Sequence, residues 1–567
     1  MIPHPDTYTQ VPLRDPAQVM RLARLGSFHQ SRLSFMRILT RRMTRENWTF
    51  SRPIFDIDAS GVGHAVFCAH TPDRTYSLVA FAHDLPADKR SDRVIAEAWD
   101  STFTLFDGVP TADDIERLRQ NIPLQEAGRV TEKELSVSRA NRSVRLWEHV
   151  VSSLAAGQQP DVAEIAKVGY LMRTTAVYGS GKLGAADREM IANRPEFSAP
   201  FQAEMLSVFL IRTYVRDLAQ HMAEARGGDK TASLDPAIAR RMGIGNSTGL
   251  GMAPFLLNHP KLINNWISAR ETAIARVRGL LTATDQEIAL FRNLLARSLV
   301  SANLWHSTHD IQIEKLGVLR ADLKRLKDHV DVTDLLGHNP WQHLFTWSEA
   351  ELGLDAQECL ASLMLEPYGA LVDGLADHMS DAEVVHFRID GSMHAATLID
   401  ILKRSYVWAL NTDWHDKQNC ARAWYVSEEK LEPRLGERFD EPITPYEQPL
   451  APGRDAAALY EALKTWNADA PIATFLLAHP EHRHTVRRAQ IVAAAPYGEI
   501  QDNTIGSDLM PIDMLRCKLS FFGATHFDPR SDRWVRICLF GNAPYPEDLQ
   551  SETGDDWPYP ALDQDIA

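Results

Sequence analysis

Gly243-Ile244-Gly245-Asn246-Ser247-Thr248-Gly249-Leu250-Gly251-Met252 sets four glycines and three small polar residues ahead of an apolar, helix-like segment. Glycine admits positive φ and close backbone approach, and the helix that follows adds the positive end of its dipole. The composition therefore predicts a loop that turns backbone N–H groups toward an anion. A tight turn that needs glycine only for packing fits the same letters. The spacing Gly243-x-Gly245-x-x-x-Gly249 differs from the dinucleotide fingerprint and does not clearly follow a strand, which leaves nicotinamide redox chemistry unsupported.

Read as a loop, this stretch leaves its surroundings to helices. Apolar residues three and four apart predict helices at 131–156, 200–225, 262–282, 285–301 and 309–327. Asp285, with Glu287 close behind, is a plausible start for one of them. The region before residue 110 has a different texture. Short aromatic and β-branched runs at 50–58, 64–70, 75–83, 94–99 and 103–106 alternate with turn residues and predict a small antiparallel meander.

The expected fold is accordingly α+β and predominantly helical: an N-terminal β-meander, a large helical body and a mixed C-terminal region. The expected units are 1–110 (basic helix plus meander), 111–440 (helical core with glycine-rich loops), a proline-rich linker at 441–454, 455–540 (helical and mixed) and an acidic tail at 541–567.

Composition narrows the function classes. With 567 residues the chain exceeds one ordinary core. Its 75 acidic residues outnumber 60 basic ones, for a net charge of -15, which argues against general nucleic-acid binding. Glu547, Asp548, Glu552, Asp555, Asp556, Asp563 and Asp565 crowd into residues 541–567, which reads as a solvated extension. The opposite bias occurs at the start, where Arg21, Arg24, Arg32, Arg37, Arg41, Arg42 and Arg45 have no acid among them. That run reads first as a solvated helix face, with an RNA, an acidic partner or the protein's own acidic surface as alternatives.

The five cysteines show no metal or disulfide spacing. No apolar run has the length of a membrane span, and no leader-like segment opens the sequence, so a soluble cytoplasmic protein is expected. Self-association into a homo-oligomer stays open.

Candidate ligand-binding residues follow from the glycine-rich stretches and the arginines. Gly245, Asn246, Ser247, Thr248 and Gly249 form the first set. Ala176-Val177-Tyr178-Gly179-Ser180-Gly181-Lys182-Leu183-Gly184 approaches a phosphate loop, with Gly181 and Lys182 as binders. Leu183, however, stands where magnesium needs a hydroxyl. Arg139, Arg142 and Arg145 would share one side of a helix, and Arg142 and Arg173 are candidate anion partners.

For chemistry, His386 and Asp390 would share one face of a short strand that ends at Gly391-Ser392, as base and orienting carboxylate. His306, His309 and Asp310 would converge within a helix as a second acid–base cluster or a metal site, with Asp217 and His221 as neighbours. No complete metal signature is present, so the identity of any metal or cofactor is unknown.

The leading expectation is an enzyme acting on a small anionic metabolite, bearing carboxylate or phosphate, by non-redox acid–base chemistry of lyase or hydrolase type. A nucleotide-dependent ligase or phosphotransferase and a non-enzymatic helical scaffold are the alternatives.

Overall fold

The computed structural model describes residues 8–90, 98–123, 131–174, 191, 194–249, 260–379, 388–415, 422–426, 433–437, 452–501, 511–524, 526–529, 534–549 and 557–559. The glycine-rich stretch, the residues upstream of it and the supposed C-terminal tail depart from the expected architecture.

Gly243–Gly249 is a β-strand, not a loop. It lies inside a mixed sheet of nine strands in the order β1-β2-β3-β4-β5-β6-β7-β11-β10. These are β1 (Thr49–Ile57), β2 (Gly63–His70), β3 (Thr75–Ala82), β4 (Ser101–Asp107), β5 (Glu134–Arg142), β6 (Tyr170–Thr174), β7 (Gly243–Gly249), β10 (His526–Pro529) and β11 (Trp534–Leu539). Among the described residues, two further strands, β8 (Arg422–Val426) and β9 (Pro433–Glu437), pair only with each other.

The expected small meander is therefore only one side of a larger sheet. β1 to β6 run antiparallel in sequence, β7 pairs parallel with β6, and the C-terminal β11 pairs antiparallel with β7. A parallel neighbour requires a crossover, and the chain between β6 and β7 includes the helix Gln202–Gly227, which packs on the sheet.

The glycines of β7 make room for this arrangement. A Cβ on Gly245 would lie 2.5 Å from the ring of Tyr170, and one on Gly243 would lie 2.2 Å from the carbonyl oxygen of Leu539. The strand passes too close to its neighbours for any larger side chain there. Glycine-for-packing thus describes these two positions, although in a strand rather than a turn.

A second correction falls just upstream. The helix expected at 131–156 is strand β5 followed by a helix of Trp147–Ala155 only. On a strand, Arg139 and Arg142 are an odd number of positions apart, so they leave opposite faces. They do not form the shared helical face expected of them.

Alternation divides the sheet's two surfaces. Ala65, Phe67 and Ala69 of β2 join the main core, whereas Val66 and Cys68 join a smaller cluster with Ile115, Leu118 and Ile122 beneath the helix Ala112–Asn121. On the main side Tyr214 meets Phe67 and Phe103 edge-on at centroid distances of 6.2 and 5.3 Å. Beyond the sheet stand the helices Pro260–Arg278, Asp285–Leu304, Asp310–Val332, Pro340–Glu351 and Leu354–Met364. Thr284, one residue before the expected Asp285, caps the second of these in a reciprocal box with Glu287.

A third cluster, including Leu398, Leu402, Tyr406, Leu459, Phe475 and Val486, holds the helices Ala395–Ser405, Pro452–Lys464, Ile472–Ala478 and Arg483–Ala494 together. Most of the proline-rich stretch expected as a linker, 441–451, lies outside the described residues, and Pro452 already begins a helix.

The acidic end is not a solvated extension throughout. Ala543, Leu549, Trp557 and Tyr559 belong to the main core, and Arg212 donates to the carbonyl of Ala543 at 2.9 Å while stacking on Tyr545. Among the described residues no helix is long and apolar enough to cross a membrane.

Candidate functional site

The N-terminal arginines also depart from the expected solvated face. Arg24, Arg32, Arg37 and Arg42 are buried. Arg24 meets Glu358 at 2.6 Å, Arg32 makes a two-point contact with Asp373 at 2.8 and 2.7 Å, and Arg37 reaches Glu366 at 2.7 Å. This run serves the protein's own acids. The helix Leu354–Met364 supplies the key ones, because Asp355, Glu358, Cys359 and Ser362 follow the three-and-four spacing that places residues on one helical face.

Glu358 is fully buried and collects three guanidinium groups: Arg14 at 2.7 Å, Arg24 at 2.6 Å and Arg270 at 2.6 Å. Arg14 also grips Glu271 through two bonds of 2.7 Å. Burial alone would raise the Glu358 pKa, but Arg14, Arg270 and Arg24 overcome it and hold the carboxyl well below its usual range.

A cavity opens beside this network. Phe28, His29 and Gln30 line it from the N-terminal segment, Ser301 and Trp305 from the end of the helix Asp285–Leu304, and Arg516, Leu519 and Ser520 from the helix Pro511–Phe522. Ala524, Pro558 and Tyr559 complete the wall. It holds about 410 Å³ of non-protein space, part of it open to solvent.

The cavity's ionisable groups are interlocked. His29 stacks on Trp305 at a centroid distance of 5.8 Å with 16° between the planes. The Nη2 of Arg516 lies 3.2 Å from His29 Nε2, and its Nη1 lies 2.7 Å from Asp355 Oδ1. Guanidinium only donates, so a bond from Arg516 uses the tautomer with its proton on Nδ1, whereas the same Nε2 also stands 3.7 Å from Asp355 Oδ1, toward which the Nε2–H tautomer would point. Burial pushes the His29 pKa down, with Arg516 adding to it against the opposing pull of Asp355. Burial would raise the Asp355 pKa, but Arg516 and His29 hold it below its ordinary value.

Cys359, one helical turn from Asp355, is a thiol pushed up by burial to about 12, so it is not a nucleophile near neutral pH.

Arg14, Arg24, Arg270 and Arg516 are four cations facing three carboxylates, Glu271, Glu358 and Asp355. Of these groups Arg516 lines the cavity, where it stands beside the His29 ring among aromatic side chains and is paired with Asp355. Such a setting suits a small organic anion.

The residues nominated from sequence fall in several places. Arg142, Arg173, Gly245 and Asn246 come together on the neighbouring strands β5, β6 and β7, where Asn141 is level with Arg173 and Arg173 with Gly245. Arg142 and Arg173 are buried; the Arg142 guanidinium lies 4.9 Å over Trp147, with Nε 3.7 Å from Asp100. Asn246 donates to the carbonyl of Thr174 at 3.0 Å. Ser247, Thr248 and Gly249 continue β7 opposite β11.

Gly181, Lys182 and His386 lie outside the described residues. Asp390 is described and exposed, and the Arg388–Asp390 segment is not a strand. The Asp390 carboxylate accepts from the amide and hydroxyl of Ser392, at 2.9 and 2.6 Å, in a local turn. His306 and Asp310 are exposed at the junction of two helices. Among the described residues no group of three or more His, Cys, Asp or Glu side chains is placed to hold a metal. Asp217 instead pairs with Arg52 at 2.6 Å, and His221 lies 2.9 Å from the carbonyl of Asp58.

His29, Gln30, Trp305, Asp355 and Arg516 were not legible as a site. The one signal in sequence was Asp355-x-x-Glu358-Cys359, acids at helical spacing on an otherwise apolar helix. No family model, no curated protein and no solved structure matches this chain.

Proposed function

We propose that the protein is an enzyme acting on a small organic anion, by non-redox acid–base chemistry of lyase or hydrolase type, in the cavity between His29 and Tyr559. The observation that carries this reading is the placement of a guanidinium, Arg516, beside the His29 imidazole in one aromatic-walled cavity. Arg516 attracts and orients the anion. In the tautomer that accepts from Arg516 on Nε2, His29 offers Nδ1–H as a donor, and a neutral donor of this kind polarises a carbonyl or stabilises negative charge that develops beside it. Trp305 holds the ring in place by stacking.

The test is a thermal-shift and calorimetric screen of small carboxylates and phosphates on the full chain. A true ligand at a hundred times its dissociation constant stabilises the native state by about 2.7 kcal/mol, and Arg516→Leu should lose that response. With a ligand in hand, His29→Gln should lower turnover about a hundredfold or more. No response of the folded wild type to any anion in the screen, or an unchanged response in Arg516→Leu, overturns the proposal.

A further inference from the structure

The Nε2 of His29 has two neighbours of opposite demand. Arg516 Nη2, 3.2 Å away, can only donate, and the Asp355 carboxylate, whose Oδ1 lies 3.7 Å away, can only accept. One nitrogen cannot serve both, since it either carries a proton or does not. The unmet need is on the carboxylate. Asp355 Oδ1 is sealed from solvent and makes no aligned hydrogen bond, although Arg516 Nη1 approaches it to 2.7 Å. Buried acceptors are ordinarily satisfied, and an Nε2–H on His29 is a donor that faces this one.

We infer that Asp355 is a positioning residue for His29: it draws the ring proton to Nε2 and so leaves Nδ1 a lone pair with which to act as a base. This rests on the reading of the cavity as the site of chemistry. The two tautomers then divide the work. With its proton on Nδ1 the ring donates to negative charge, and with its proton on Nε2 it takes up a proton. In the second role a proton passes from a C–H or O–H of the substrate to Nδ1, and the electron pair stays on the substrate. Asp355 holds the resulting imidazolium through Nε2–H without taking the proton itself, and Nδ1 later returns its proton to the leaving group or product. Asp355 suits this duty because it stays ionised: burial would raise its pKa, but Arg516 and His29 hold it below the ordinary value. Trp305 stacks on the ring, so the exchange moves a proton rather than the imidazole. The charged groups that face the ring are Asp355 and Glu358 from the helix Leu354–Met364 and Arg516 from the helix Pro511–Phe522, so changes at 355 and 516 act on it directly.

Histidine-selective ¹⁵N labelling of the full chain reads the tautomer without any ligand, the His29 resonances being assigned by their loss in His29→Gln. Above neutral pH, where the ring is uncharged, the wild type should populate the Nε2–H tautomer. Asp355→Asn should lower the ratio of Nε2–H to Nδ1–H by about five- to tenfold, the range one hydrogen bond supplies. Arg516→Leu, which removes the competing donor, should raise it. A carboxylate that merely anchored Arg516 would give the reverse at position 355, because a loosened Arg516 no longer holds the proton on Nδ1.

A wild type wholly in the Nδ1–H tautomer overturns the inference whether or not the variants fold. A ratio that rises or stays fixed in folded Asp355→Asn does the same. Neither result touches the reading of the cavity, which the anion screen decides. A screen without any response removes that reading and the base role together, whatever the tautomer.

Discussion

Two charged segments of the chain solve the same electrostatic problem in opposite ways. On the helix Asp310–Val332, Lys324 and Lys327 stay in water and pair with near neighbours, Asp328 and Asp331, each one turn away. The N-terminal segment takes Arg14, Arg24, Arg32 and Arg37 inside and pairs them with acids more than three hundred residues away, Arg14 with Glu358 and Arg37 with Glu366 among them. Local pairs at the surface are nearly neutral in energy, because water and salt screen them. Buried pairs are different. Each ion has given up its hydration, so removal of one partner strands the other in a medium that cannot solvate it.

Glu358→Gln should expose this contrast most strongly. The substitution keeps the side chain's size but leaves Arg14, Arg24 and Arg270 around a neutral amide, and should cost about 3–5 kcal/mol in urea unfolding. A loss below about 1 kcal/mol breaks the distinction between the two segments.

Gly245→Ala probes the sheet rather than the charges. A methyl 2.5 Å from the Tyr170 ring forces β6 and β7 apart, with an expected cost of about 1–3 kcal/mol. An unchanged unfolding midpoint would mean that the strand has slack the structure does not show.

The pH dependence follows from His29. Its folded pKa is lowered, so below the ordinary value of 6.5 the unfolded chain binds a proton that the native state resists, and stability falls as pH drops through that range. His29→Gln removes this contribution. Its stability profile between about pH 5 and 7 should be flatter than the wild type's by up to about 1.4 kcal/mol per pH unit. Parallel profiles would show that His29 takes up its proton freely in the native state and is not buried as described.

Lys327→Ala should do least. Its partner Asp331 is half-exposed, so the change should stay within about 0.5 kcal/mol and shrink further in high salt. A larger loss would show the exposed helix to be coupled to its surroundings in a way its local pairs do not reveal.

The same contrast explains what was readable in sequence. Elements whose stability is local were legible: strands predicted at 50–58, 64–70 and 75–83 match β1, β2 and β3, and helices predicted at 200–225 and 285–301 match Gln202–Gly227 and Asp285–Leu304. Periodicity is a property of neighbours. Elements defined by distant partners were not legible. β7 has three glycines and no apolar alternation, and only Tyr170 and β11 reveal why it extends. Arg24, Arg32 and Arg37 read as solvated because their acids lie far along the chain. The candidate site failed for the same reason, since its walls come from residues 28–30, 301–305, 516–524 and 558–559.

The bond between Gln30 and Pro558 joins residues 528 positions apart, and this has a consequence for biosynthesis. β7 is bordered on one side by β6 but on the other only by β11, which is made nearly three hundred residues later. Until β11 leaves the ribosome, β7 presents a free edge of backbone donors and acceptors, the kind that recruits strands from other chains. A nascent or truncated chain lacking β11 should therefore depend on chaperones and aggregate without them. Because residues 558 and 559 also close the cavity, ligand binding would report that synthesis has reached that point and that the two ends of the fold have met.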